Sequence, residues 1–258
     1  VKALRRVLAA PWLWLGLAAL QLTLAAAITA PVRAVLRAAM GPYTLGDEQQ
    51  LLGPLFELLA HNPAVSAALI SSLVVSGALG LLLAPLLAGA VIARLAGPCS
   101  VGEQARASIT KFPAALVIGI YGLILRALLA LVAAALGTLH PALQTATIAA
   151  SLGLTAIAVD LARTRTVLDH ANGFHPRTFI QALTAVTPGL WLRSTLLSAA
   201  QWATACGILL VAVNGIGTAW ALWLARGLAG LAIFFALWRV AVAVEHATSR
   251  APAPRAAP

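Results

Sequence analysis

Two arginines stand inside apolar stretches of this chain, Arg126 in the run 113–136 and Arg226 in the run 216–238. A guanidinium at mid-bilayer depth costs roughly 3 kcal/mol on insertion scales, so it turns to a bundle interior or a wet cavity and takes partners there. Gly119, Gly122, Arg126, Ala130 and Ala133 recur at spacings of three and four, which sets Arg126 on a small-residue helix face suited to close packing. Ala219, Arg226, Gly227 and Gly230 form a similar stripe. No carboxylate is expected at matching depth, because Asp160 falls at the end of an apolar run, Glu245 beyond the last one and Glu57 in a loop. The guanidinium donors must then go to backbone carbonyls, to hydroxyls such as those of Thr145 or Thr147, to water, or to an anion. Arg126 and Arg226 are therefore the candidate substrate-binding residues, with a planar fork that fits phosphate or a lipid headgroup. The plainer alternative is that they only lock the bundle.

A second group of chemical residues is the segment Asp160-Leu-Ala-Arg163-Thr-Arg165-Thr-Val-Leu-Asp169-His170. Asp160 and Arg163 at i, i+3 can pair on a helix leaving the membrane. Asp160, Arg163 and Asp169 are candidates for a cytosolic interface, read either as a surface collar or as an enzyme site for lipid phosphate. The CDP-alcohol phosphotransferase signature is excluded, since the glycine after its first aspartate, the later spacing and the terminal paired aspartate are missing. His61, His140, His170, His175 and His246 are scattered, and Cys99 and Cys206 have no C-x-x-C spacing, so no metal site or cofactor is expected. G-x-S-x-G, H-E-x-x-H and Walker sequences do not occur.

The elements that must position these residues are membrane helices. Of 258 residues, 61% are hydrophobic and 9% charged, against about 45–50% and about 25% in ordinary soluble domains. Apolar runs at about 12–30, 64–93, 113–136, 141–159, 191–213 and 216–238 predict six spans. The second is long and contains Gly77, Gly80, Pro85 and Gly89, which predicts a kink, a strong tilt or a broken helix. Segments 97–112 and 160–190 read as loops, 51–59 as a short amphipathic helix on the outer face, and 251–258 as a disordered tail. With the N-terminus inside, Lys2, Arg5, Arg6, Arg94, Arg106, Lys111, Arg163, Arg165, Arg177, Arg193, Arg239, Arg250 and Arg255 fall on the cytoplasmic side and only Arg33 and Arg37 outside. That asymmetry places both termini in the cytoplasm. The first run also fits a cleaved leader, with Lys2, Arg5 and Arg6 ahead of it and Ala25 to Ala27 as a small-residue site; an uncleaved span is the reading taken. The net charge of +10 is spread along loop edges without a basic aromatic module, which speaks for topology and lipid attraction and against nucleic acid.

The pattern Asp160, Ala162, Arg163, Val167 at the end of an apolar helix, followed by the amphipathic stretch Phe179, Ile180, Leu183, Val186, resembles a group of bacterial six-span proteins. That group includes the membrane domain attached to some glycerophosphodiester phosphodiesterases. The resemblance covers the C-terminal half and implies a helical bundle without assigned site residues. Gln104, Ala105 and Thr110 match Gln181, Ala182 and Thr187 in offset, which suggests two half-bundles. The expectation is an all-α, six-span bundle in a bacterial cytoplasmic membrane. Its expected role is non-enzymatic: a transport or envelope-complex component that binds an anionic or lipid substrate. A lipid-phosphate enzyme and a purely structural subunit are the alternatives. Membrane lipids are the expected partners, with the cytosolic loops as a surface for a protein partner.

Overall fold

The computed structural model describes residues 2–40, 61–214 and 219–250, which form eight helices and, among the described residues, no strand. They are α1 (Lys2–Leu8), α2 (Pro11–Met40), α3 (Pro63–Ala96), α4 (Val101–Gly137), α5 (Pro141–Leu168), α6 (Pro176–Thr184), α7 (Pro188–Asn214) and α8 (Ala219–Arg250). Five of these, α2, α3, α4, α5 and α8, contain a stretch long and apolar enough to cross a membrane. The chain is a multi-pass membrane protein.

Local sequence explains where the helices begin. Proline opens α3, α5 and α6, each preceded by a side chain that accepts from the first turn: Asn62 from Ala64 and Val65, His140 from Ala142, His175 from Arg177. Proline lacks the N–H that would be orphaned at the first position, and the cap satisfies donors that follow. Ser100 and Glu103 form a reciprocal capping box that starts α4 directly after the turn at 97–100.

The helices pack tightly at one end of the bundle and part at the other. The closed half is built on α5, where Ile157, Ala158, Leu161 and Ala162 are almost fully buried against Ile92 and Leu95 of α3, Ile118 of α4, Ala182 of α6 and Ala241 to Val244 of α8. Small residues permit this approach. A Cβ on Gly89 would lie 2.7 Å from the Ala107 carbonyl carbon, and one on Gly122 would collide with Val159. In the open half, Leu73 and Val74 of α3, Leu128 and Leu131 of α4 and Trp223 of α8 are exposed, as expected of side chains that meet lipid rather than protein.

Several expectations change. Segment 97–112 is not a loop, because α4 starts at Val101 and carries Pro113 inside it. Segment 160–190 is mostly helical, since α5 continues to Leu168 and α6 follows. The second apolar run is one continuous helix of 34 residues in which Pro85 is buried. Its length of about 51 Å exceeds a hydrocarbon core of about 30 Å, so α3 tilts or protrudes. The last run does not stop at 238 but reaches Arg250. The two matching segments differ in structure: Gln104 to Thr110 lies within α4, whereas Gln181 to Thr187 crosses the end of α6. The amphipathic stretch 51–59 and the tail 251–258 lie outside the described residues.

Candidate functional site

Extending the last helix to Arg250 moves its centre from the neighbourhood of Arg226 to that of Phe235, four residues before Arg239. Arg239 is the residue that reaches inward. Its Nε donates to Asp160 Oδ2 at 2.8 Å, and the two side chains are 18% and 7% exposed. Its Nη1 donates to Ser198 Oγ and Gln201 Oε1 of α7, both at 3.3 Å. Asp160 is thus no surface collar: it is buried and pairs with α8, 79 residues away, rather than with Arg163. Taking two charges out of water is repaid only with good geometry and further hydrogen bonds, which Ser198 and Gln201 supply.

Arg163, one turn further along α5, is partly buried and donates through Nε to the Ala115 carbonyl at 3.3 Å. It fits there because α4 has no side chain at Gly119, where a Cβ would sit 3.0 Å from Arg163 Nη2. Arg126 lies on the α4/α5 seam and donates through Nε to Thr155 Oγ1 at 3.1 Å, not to Thr145 or Thr147. Thr155 is itself fully buried and donates to the Ser151 carbonyl at 2.9 Å. Arg126 is exposed, contrary to the inward placement its sequence position predicts.

The other expected site residues lie elsewhere. Arg226 is exposed, with its guanidinium 5.2 Å from the Trp223 ring centroid on the same helix. It is seven residues from the first described residue of α8, about 10 Å, within reach of the helix end for a snorkelling side chain. Gly227 beside it meets nothing within 4 Å, whereas Gly230 of the same stripe lies against Trp14 of α2. Asp169 is the exposed C-cap residue of α5, and the neighbouring His170 lies 3.4 Å from Lys111 Nζ.

Arg163 and Arg239, but not Arg126, line a groove of about 580 Å³. Its walls, apolar apart from Gln21 and Ser76, come from α2 (Leu17 to Ile28), α3 (Ser76 to Ile92) and α8 (Ala232 to Val240), while Asp160, Arg163, Gln201 and Arg239 supply its charged and further polar lining. From Ser76 to Ile92 the groove follows about 24 Å of helix, most of a hydrocarbon core. The α2 wall is tied to α8 by Trp14 Nε1, which donates to the Gly230 carbonyl at 2.8 Å, and by the Trp14–Phe234 edge contact. Long apolar walls ending in guanidinium groups suit a ligand with a hydrocarbon part and an anionic head.

Comparison of the chain with protein-family models, curated proteins and solved structures returns no match.

Sequence reasoning missed Arg239, Gln201 and Ser198. The signal for Arg239 was present: Val240 to Val244 continue the apolar pattern after it, so it interrupts a span rather than ending one.

Proposed function

We propose that this is a non-enzymatic protein of the bacterial cytoplasmic membrane, six-spanning with both termini in the cytoplasm, that binds an anionic amphiphile in the groove between α2, α3 and α8. The observation that carries this reading is the arginine cluster at the end of a long apolar groove. Arg163 and Arg239 line its polar end together with the one carboxylate of Asp160, which Arg239 already bonds, and a positive excess at membrane depth calls for an anion. The role fits a transport or envelope-complex component that presents or moves a lipid. The strong Lys and Arg asymmetry between loops supports the orientation.

The test is lipid retention by the intact protein, purified in mild detergent and analysed by native mass spectrometry beside Arg163→Gln and Arg226→Gln. The wild type and Arg226→Gln are expected to carry an anionic amphiphile that Arg163→Gln loses. Equal retention by all three proteins, or none in any, contradicts the reading.

A further inference from the structure

The shape of the groove limits what its amphiphile can be, an inference that rests on the amphiphile-binding reading. A volume of about 580 Å³ spread over about 24 Å of α3 gives a mean section of about 24 Å². A methylene fills about the 30 Å³ of a water in the liquid and an extended chain advances about 1.2 Å per bond, so one hydrocarbon chain needs about 25 Å². Two chains side by side need about twice that section, and a helix about 10–12 Å across needs more still. A partner helix is thereby kept out of this space, although Ser76, Gly80, Ala84 and Ala88 recur at the four-residue spacing that lets helices approach closely. These four residues line the groove instead, and a Cβ added at Gly80 would meet nothing within 4 Å.

The charged lining is the enclosed part of the groove. Asp160 is buried and Arg239 mostly so, and Ile233 and Leu237, just before Arg239 on α8, are buried as well. Ser76, Gly80 and Ala84, by contrast, are exposed. A two-chain phospholipid branches within a few atoms of its head, so with the head against Arg239 both of its chains would start in the enclosed part. A single chain needs one path, out along α3. We propose that the groove takes one hydrocarbon chain, so that its ligand is a single-chain anionic amphiphile, a fatty acid or a lysophospholipid, rather than a two-chain phospholipid. A chain of about 16 carbons takes up about 19 Å of the length and leaves about 5 Å for the head.

Three probes separate the cases: palmitate, 1-palmitoyl lysophosphatidylglycerol and dipalmitoyl phosphatidylglycerol. Each is titrated into the intact, delipidated protein and followed by native mass spectrometry. The lysolipid is expected to bind about tenfold more tightly than the two-chain lipid with the same head, within the range that overpacking a filled site costs. Palmitate that binds as tightly as the lysolipid assigns the ligand to the fatty acids as well, and weaker palmitate binding assigns it to the lysophospholipids; either result keeps the single chain. Ala84→Trp and Gly80→Phe each place a ring in the groove and are expected to weaken the single-chain probes about tenfold. The glycine variant serves if the tryptophan variant fails to fold, since a Cβ there has open space. A two-chain lipid that binds at least as tightly as the lysolipid, with both weakened in these variants, would overturn the single-chain assignment and leave amphiphile binding intact. Indifference of every probe to both variants, or no binding by any probe, would instead overturn the amphiphile reading.

Discussion

The two halves of this bundle solve the same packing problem with different partners. In the closed half the helices meet through alanine, glycine and serine: Ser194 Oγ donates to the Gly153 carbonyl across α5 and α7 at 3.1 Å, and Ser108 Oγ accepts from Ala90 N at 3.2 Å. In the open half, the most apolar stretches of α2 and α3 have 0% of their residues buried, against 33% for α5. Lipid tails are as apolar as leucine, so nothing drives those faces together. The difference teaches where polar chemistry can be held: the arginine cluster sits where the backbone approaches closely, and the groove opens away from it.

Substitutions should separate the halves, beginning with the ion pair. Asp160→Leu or Arg239→Leu leaves a buried charge without its partner and should lower stability by about 3–5 kcal/mol, whereas the double replacement Asp160→Leu with Arg239→Met should recover most of that loss. Thermal unfolding in one detergent checks this; an unrecovered double variant would mean that the cluster does more than pair. Next, Gly153→Val places side-chain atoms where Thr195 already sits, and should cost about 1–3 kcal/mol. The equivalent change in the open half, Gly77→Val, meets nothing within 4 Å and should stay within about 0.5 kcal/mol by the same assay. If both glycine variants unfold alike, the halves do not differ. Smallest of all, Arg226→Gln loses an exposed contact with Trp223 that is worth about 0.5–1 kcal/mol and should leave bound lipid unchanged.

The apolar runs made the helical class and most of the long helices legible, whereas the short helix α6 fell in a segment that read as a loop. The small-residue face through Gly119 and Gly122 was legible too, and it does pack closely, against Arg163 and Val159. What could not be read was the pairing across the chain. Asp160 looked like a membrane-boundary residue because its neighbours Arg163 and Arg165 are charged, yet α5 continues through them and the carboxylate turns inward. Arg239 looked like a boundary for the same reason. A charge ends an apolar run in a hydropathy profile, but in a bundle it ends the span only when no partner waits inside. Arg226 shows the converse: mid-run in the sequence, it lies near a helix end and faces outward.

A map of the protein in a lipid nanodisc, at a resolution that shows acyl chains, tests the central claim most directly. The groove should hold an elongated density along α3 from Ser76 to Ile92, with its head against Arg163 and Arg239. An empty groove closed by its own side chains, or a chain whose apolar end points at the arginines, would contradict a headgroup site there.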